Sequence, residues 1–166
     1  MRKLVLIPLL IILSVSCQNK SATEELNKSI VIKWLTEVNE DNYEELFKEL
    51  WVENCEHYFN SSTEAVKFDE FKQMLDNLYT EYPMIHHEVH DIIANDDKVV
   101  AKFSAKVFHD RTMFGAPATG KEIEWNAMAI FQLSNGKIHT RWEITDLLGM
   151  YEQLGMELHL KETIDK

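Results

Sequence analysis

The stretch that decides the fold is residues 122–145, EIEWNAMAIFQLSNGKIHTRWEIT. Its first half places an apolar side chain at every second position, which is the period of a β-strand. These side chains are Ile123, Trp125, Ala127, Ala129, Phe131 and Leu133. Asn135-Gly136 is a strong signal for a two-residue turn, and residues 137–145 supply a second strand. The stretch therefore predicts a long β-hairpin with one buried face.

The segments before the hairpin add two more strands and a set of helices. Residues 99–107 alternate in the same way, and a turn at 95–97 joins them to residues 85–94. Apolar residues spaced three and four apart predict helices, and a short strand lies among them. The predicted helices are 24–38, 41–50, 69–79 and 147–154, and the short strand is 55–59. Segregated helices and hairpin-linked strands indicate an α+β fold with an antiparallel sheet.

Composition limits the class of protein. The chain has 166 residues, a net charge of −11 and two cysteines. Such an acidic chain lacks the basic surface that neutralises phosphates, so nucleic acid is not an expected partner. Two cysteines cannot hold a disulfide-rich scaffold. The length suits one domain with its own core.

The N-terminus indicates export. Arg2 and Lys3 precede the apolar run 4–13, which is too short for a membrane span, and residues 1–16 are predicted to be a signal peptide. Leu13-Ser14-Val15-Ser16-Cys17 resembles a bacterial lipobox, which implies lipidation of Cys17 and a membrane-anchored lipoprotein in the periplasm or at the cell surface. Simple secretion after Ser16 is the alternative. Residues 17–23 are then a polar tether, 24–158 the domain and 159–166 a polar tail.

A set of motifs connects the domain to a known family. It comprises residues 114–121 (FGAPATGK), the Asn-Gly-Lys turn, Trp142, Asp146 and Gln153-Leu154-Gly155. Over residues 26–156 the chain resembles the SnoaL-like polyketide cyclase family of the nuclear transport factor 2-like superfamily. The resemblance implies a cone-shaped, strongly curved sheet whose N-terminal helices close a pocket. It also implies chemistry without a metal or an organic cofactor.

Asp146 is the first candidate catalytic residue. In the family that the chain resembles, an aspartate near the end of the last strand is the general acid/base of an intramolecular aldol condensation. Strict alternation along residues 138–146 places Asp146 on the same face as Trp142 and Ile144, which is the less polar face and hence the predicted pocket side. The alternative is that Asp146 caps the helix that begins at Leu147.

His109 is the second catalytic candidate, because it continues the apolar row of residues 103, 105 and 107 to the end of their strand. A strand-end histidine bonded to backbone is the alternative. His57, on the short strand, falls where the family often places a polar pocket residue. The further predicted ligand-pocket residues are Trp125, Trp142 and Ile144.

Residues 85–91 hold three histidines, but a metal site is not predicted there. His86, Glu88 and His90 share one face of a strand, and a solvated outer face explains them better than zinc does. Met128 and Ile130 lie opposite the buried face of their strand and suggest a homodimer. Cys55 is expected to be a buried, inert thiol.

Two functions fit these observations. The first is an enzyme for cyclase- or isomerase-type proton transfer on a small, largely apolar carbonyl compound. The second is a lipid-anchored module that binds a small apolar ligand or a partner protein without chemistry. Alanines at 101, 105, 127 and 129 on the inward rows favour an open pocket, within the usual range of about 300 to 1,000 Å³, over a filled interior.

Overall fold

The computed structural model describes residues 7–82, 84–157 and 159. Its helices within these ranges are α1 (Ile7–Glu37), α2 (Tyr43–Leu50), α3 (Phe68–Glu81) and α4 (Leu147–Gln153). Its strands are β1 (Trp51–Phe59), β2 (Val66–Lys67), β3 (His86–Asn95), β4 (Lys98–Phe108), β5 (Glu122–Ser134) and β6 (Lys137–Thr145). The predicted α+β class and the element order are confirmed, and the short strand β2 is an addition to them.

The strands form one curved, mixed sheet in the order β2-β1-β6-β5-β4-β3. Consecutive long strands β3 to β6 pair antiparallel through hairpins, as predicted. The expectation of a purely antiparallel sheet is wrong, because β1 pairs parallel with β6. A parallel pair needs a long crossover connection, and α3 together with β3, β4 and β5 supplies it.

The inner face of the sheet carries the two rows that the alternation predicts. Phe103 on β4 and Phe131 on β5 are almost fully buried, and Ala101, Ala105, Ala127 and Ala129 surround them. Helices α1 and α3 cover this face and add Trp34, Leu35, Phe71 and Leu75 to the core. Of these residues, Phe103 and Ala105 line the cavity described below.

A β-bulge in β6 decides which of its side chains face the interior. Leu133 pairs with Ile138, whereas the preceding residue Gln132 pairs with Thr140, so β6 holds one extra residue at this point. A single inserted residue reverses the face of every residue that follows it. Ile138 is buried in the core, and beyond the bulge the inward residues are the odd-numbered ones from Arg141 onward.

The predicted signal peptide and tether fall at the start of α1. Residues 1–6 lie outside the described part of the chain, and residues 17–23 are helical in continuity with α1. Lys20, in the predicted tether, forms an ion pair of 2.8 Å with Asp96 in the β3–β4 turn. Of the helices in the described residues, none combines the length and the apolar character needed to span a membrane. Residues 160–166 of the predicted tail also lie outside the described part.

Candidate functional site

A cavity of about 540 Å³ lies between the inner face of the sheet and the helices. Its volume falls within the usual range for small-molecule sites, roughly 300 to 1,000 Å³. Most of the wall is apolar and aromatic. The wall includes Trp34, Leu35, Val38, Phe59, Phe71, Leu75, Leu78, Tyr79, Ile85, Phe103, Met113, Trp125 and Met150. A largely apolar ligand of small-molecule size fits such a space.

Strand β6 supplies the buried charged groups of the cavity wall. Arg141, Glu143 and Thr145 line the cavity in succession on the inward face. Arg141 and Glu143 are 8% and 6% exposed and form an ion pair. The Thr145 hydroxyl donates a hydrogen bond of 2.9 Å to Oε1 of Glu143. Buried charges persist in proteins when they are paired and hydrogen-bonded in this way.

The turn after β1 holds the C-terminal end of β6 in place beside the cavity. The backbone N–H of Asn60 donates to the carbonyl oxygen of Glu143 at 2.7 Å. In return, Oδ1 of Asn60 accepts a bond of 3.0 Å from the backbone N–H of Thr145. Asn60 adopts a positive φ of 49°, which asparagine tolerates better than most residues. The two bonds hold the Glu143–Thr145 segment in a defined position beside the cavity.

His57 lies beside Arg141 on the neighbouring strand, since the two residues are register partners in the β1–β6 pair. Its ring packs against Phe59 and Phe71, with centroid distances of 4.9 and 4.6 Å. Burial, and secondarily the charge of Arg141, lowers the pKa of His57 to about 2. The imidazole is therefore neutral at physiological pH. Both ring nitrogens are buried without a hydrogen-bond partner, and the residue lines the cavity.

His87 lines the cavity from β3. Burial lowers its pKa to about 4, with smaller contributions from Arg141 and His86, while a hydrogen bond to the backbone of Leu35 acts in the opposite direction. The ring lies edge-on to Phe103 at 5.8 Å. Its Nδ1 atom is buried and has no partner. His87 is thus a second neutral imidazole on the cavity wall.

Arg141 lies between two other polar groups of the cavity wall, because it pairs with Glu143 and is the register partner of His57. Its guanidinium lies over the rings of Phe131 and Phe103, at 5.4 and 5.9 Å from their centroids. Burial lowers its pKa to about 9, against a small opposing effect of Tyr79, so the side chain still carries its charge at pH 7. Its Nε–H is buried and has no acceptor. An unpaired donor of this kind is costly unless a ligand or a water molecule accepts its hydrogen bond.

Asp146 lies just outside this arrangement. It is exposed, and its Oδ1 accepts a hydrogen bond of 2.9 Å from the backbone N–H of Gly149, which makes it the N-cap of α4. The cavity-lining residues include its neighbours Thr145 and Leu147 but not Asp146. The prediction that it ends an inward row is therefore wrong, and the capping alternative describes its contacts. Its acid/base role stays a prediction.

The other predicted pocket residues divide into two groups. His57 and Trp125 line the cavity, as the sequence analysis placed them. Trp142 and Ile144 do not, since they are 36% and 68% exposed on the outer face of the sheet. Their predicted inward placement is wrong because the bulge in β6 reverses the alternation after Ile138. The same reversal turns Arg141 and Glu143 inward.

His109 is buried at the end of the β4 row but is not among the residues that line the cavity. Its Nδ1 accepts a hydrogen bond of 3.3 Å from the backbone N–H of Thr119 and lies 3.0 Å from the hydroxyl of the same residue. Its backbone pairs with Gly120 and Lys121. These contacts anchor the loop before β5 and correspond to the alternative interpretation of a strand-end histidine.

His86 and His90 of β3 and Cys55 of β1 lie outside the site, on the sheet surface and in the core respectively. His86, Glu88 and His90 are exposed on β3, and Nε2 of His90 lies 3.0 Å from the hydroxyl of Ser104. Across the described ranges, no group of three or more metal-ligating side chains comes together. Cys55 is fully buried, and burial raises the pKa of its thiol to about 11.

An α+β domain with a curved mixed sheet, helices on its inner face and a ligand-sized cavity defines a protein of the nuclear transport factor 2-like fold. The sequence profile of the SnoaL-like polyketide cyclase family matches residues 29–154. The chain therefore belongs to the SnoaL-like polyketide cyclase family. No curated protein sequence matches it.

Solved structures share the fold at low sequence identity. A proposed SnoaL-like polyketide cyclase from Jannaschia sp. CCS1 is 20% identical with a TM-score of 0.70, over 81% of this chain and 95% of that one. AclR, a proposed hydroxylase from Streptomyces galilaeus, is 17% identical with a TM-score of 0.70, over 83% and 90%. A proposed polyketide cyclase from Bacillus cereus ATCC 10987 is 26% identical with a TM-score of 0.57, over 76% and 75%. The different activities proposed for these neighbours agree with the general rule that a fold does not fix a reaction.

Sequence reasoning missed several polar residues of the cavity, among them His87, Arg141, Glu143 and Thr145. Three of them follow the bulge in β6, and no residue type in that strand marks a bulge. The alternation itself favoured the wrong face, because Trp142 and Ile144 are more apolar than the residues between them. His87 had a usable signal, since it faces opposite to His86 and Glu88 and hence toward the helices.

Proposed function

We propose that the cavity binds a small, largely apolar carbonyl compound and promotes proton transfer of the cyclase or isomerase type. The observation that supports this most is the buried Arg141–Glu143 pair beside His57, in the wall of a largely apolar cavity. A carboxylate, a guanidinium and a neutral imidazole are groups that can move a proton and stabilise the charge that results.

Each group has a defined part in the proposed step. The carboxylate of Glu143 takes a proton from the carbon next to the carbonyl group, and the electrons of the C–H bond move to the carbonyl oxygen. The guanidinium of Arg141 and the N–H of neutral His57 stabilise the enolate oxygen that forms. Glu143 then returns the proton to another carbon, which gives isomerisation. Alternatively, the enolate carbon attacks a second carbonyl group and the oxygen of that group takes the proton from Glu143, which gives cyclisation.

Ligand binding without chemistry is the second candidate. Its support is that Glu143 already has two partners, the hydroxyl of Thr145, which donates to Oε1, and the charge of Arg141 in the ion pair. Such partners stabilise the ionised carboxylate and weaken it as a base. Asp146, next to the cavity-lining Thr145, is the competing acid/base on the basis of the family resemblance.

Deuterium exchange at the methylene group of deoxybenzoin in D₂O, followed by proton NMR, separates these candidates. The compound is apolar, has one carbonyl group and loses a methylene proton on forming an enolate. We expect the chain to accelerate exchange, Glu143→Gln to lose about 10²- to 10⁴-fold of the acceleration, and Asp146→Asn to retain it.

The other outcomes each identify an alternative. Exchange that survives in Glu143→Gln and is lost in Asp146→Asn assigns the acid/base role to Asp146. Deoxybenzoin that binds without faster exchange in the unsubstituted chain contradicts proton transfer on this compound and favours the binding module.

We also propose that the outer face of the sheet forms a homodimer interface. The strand registers align five apolar side chains in one row across five strands: Ile93, Val100, Ile130, Trp142 and Tyr58. The neighbouring row includes Asp91 and Lys102, whose charges are opposite. In a two-fold dimer, Asp91 of one copy can pair with Lys102 of the other, and Lys102 with Asp91.

Sedimentation equilibrium is expected to give a dimer for the unsubstituted chain. It is expected to give a monomer with an unchanged fold for Ile130→Lys. An unsubstituted chain that sediments as a monomer at micromolar concentration contradicts this interface.

Export and lipid anchoring through Cys17 are a further proposal, supported by the sequence of residues 1–17. Metabolic labelling with palmitate in a bacterial host is expected to mark the chain and to fail with Cys17→Ala. Cell fractionation then places the labelled chain with membranes. An unlabelled chain in the soluble exported fraction contradicts lipidation and favours simple secretion.

A further inference from the structure

The opening of the cavity is marked by residues that line its wall and are also exposed to solvent. They include Met74 and Asn77 on α3 and Phe114 in the loop between β4 and β5. Phe114 is 59% exposed. Its side chain therefore presents accessible apolar surface at the point where a ligand enters the cavity.

Phe114 belongs to a tight turn with a defined backbone. Met113 and Ala116 are buried, and each donates its backbone N–H to the carbonyl oxygen of the other, at 3.0 and 2.9 Å. The two residues between them have positive φ angles, 49° at Phe114 and 86° at Gly115. Turns of this kind favour Asn, Asp or Gly, because a positive φ is sterically costly for a bulky side chain. A phenylalanine at this position points to a role that the turn itself does not require.

Other aromatic rings of the cavity wall accompany Phe114. Its ring meets the ring of Tyr151 on α4 edge to face, with a centroid distance of 5.8 Å and an interplanar angle of 75°. Tyr151 and Tyr82 also line the cavity, and both are partly exposed. Accessible rings offer edge-to-face and stacked contacts, which a planar aromatic group can make and a saturated ring cannot.

We propose that Phe114 is a specificity-determining residue that selects ligands with an aromatic ring at the end nearest the cavity opening. The ligand ring packs against the Phe114 ring, and Tyr151 keeps that ring in place. The inference rests on the proposed function only in placing a largely apolar carbonyl compound in the cavity. It needs no proton transfer and no particular acid/base residue.

A matched pair of ketones measures this contact. Deoxybenzoin has two phenyl rings, and 1,2-dicyclohexylethanone has the same carbon skeleton with saturated rings. The aromatic preference is the dissociation constant of the saturated ketone divided by that of deoxybenzoin. Calorimetric titration of the full chain in lipid nanodiscs, with empty nanodiscs as the blank, gives both constants.

Two leucine variants identify the residue responsible. Phe114→Leu keeps an apolar side chain but removes the ring, and the loss of one aromatic contact lowers the aromatic preference by about 3- to 10-fold. Phe108→Leu is the matched control and leaves the preference unchanged, because Phe108 is 55% exposed at the end of β4 and is not among the residues that line the cavity. Comparing ratios cancels the difference in hydrophobicity between the two ketones.

Phe114→Asn separates ligand contact from a purely structural role. Asparagine tolerates a positive φ, so relief of backbone strain offsets the lost contact with Tyr151, and the melting temperature is expected to be unchanged or higher. The affinity for deoxybenzoin is expected to fall by about 3- to 10-fold in the same variant. A purely structural role predicts the reverse, a lower melting temperature with an unchanged affinity.

Specific results overturn the inference. An aromatic preference that does not change in Phe114→Leu contradicts it, as does an equal loss of preference in Phe108→Leu. A lower melting temperature with unchanged deoxybenzoin affinity in Phe114→Asn also contradicts it. Failure of both ketones to bind contradicts this inference and the proposed function together. A preference that falls in Phe114→Leu, without any deuterium exchange of deoxybenzoin, contradicts proton transfer alone and leaves the selection by Phe114 standing.

Discussion

Replacing Glu143 with leucine tests the buried ion pair on which the site depends. The substitution leaves the Arg141 guanidinium, which is 8% exposed, without its carboxylate partner. Breaking a buried pair by removing one partner lowers the free energy of unfolding by about 3 to 5 kcal/mol. At roughly 2 to 4 °C per kcal/mol for a chain of this size, the melting temperature falls by about 6 to 20 °C.

The double variant Arg141→Leu/Glu143→Leu distinguishes pairing from simple loss of side-chain volume. Two leucines leave no unpaired charge, and apolar replacement of a whole buried pair is often neutral or stabilising. We therefore expect the double variant to recover most of the lost stability. Urea unfolding followed by tryptophan fluorescence measures all three proteins. Ile144→Thr is the control on the same strand, because a residue that is 68% exposed contributes within about 0.5 kcal/mol.

Two results refute this reasoning. A change below about 0.5 kcal/mol in Glu143→Leu places the carboxylate in solvent, where salt bridges contribute little. Additive losses in the double variant show that the two side chains do not act as a pair.

Three further predictions follow from individual contacts. The pKa values of His57 and His87 in the folded chain are about 2 and 4, against 6.5 in the unfolded chain, so unfolding takes up protons below pH 6.5. As the pH falls from 6.5 to 4, each residue lowers the free energy of unfolding by about 1.4 kcal/mol per pH unit, and urea unfolding of His57→Phe shows a pH dependence that is smaller by that amount. Asp146→Ala loses the cap of α4 and about 1 kcal/mol in the same assay, without a change in deoxybenzoin affinity. Cys55, whose thiol pKa is raised to about 11, stays unlabelled by maleimide until urea unfolds the chain; prompt labelling contradicts its burial.

Much of the fold follows from local patterns in the sequence. The alternating row from Ile123 to Leu133 and the Asn135-Gly136 turn predict the β5–β6 hairpin because period and turn chemistry agree. The helices follow from their apolar stripes in the same way. The parallel pairing of β1 with β6 is a long-range contact, and no local pattern in residues 51–59 specifies it.

The candidate site was less predictable because it depends on one extra residue. Up to Ile138 the alternation of β6 holds, and past the bulge it reverses, so the apolar Trp142 and Ile144 face outward and Arg141 and Glu143 inward. Polar residues on an inward face contradict the usual pattern of burial, and such exceptions concentrate at functional sites. Trp125, on a strand whose alternation holds throughout, and His57, which the family resemblance indicated, both line the cavity.

Thiol labelling on the last strand tests the central claim most directly, namely that its odd-numbered residues face the ligand cavity. Ile144→Cys and Thr145→Cys are compared in a Cys17→Ala background, where buried Cys55 is silent. Maleimide is expected to label Cys at 144 rapidly, whether or not deoxybenzoin is present, and Cys at 145 slowly, with further protection by deoxybenzoin. Protection at 144 with ligand-independent labelling at 145 would place the even-numbered residues in the cavity and contradict the account.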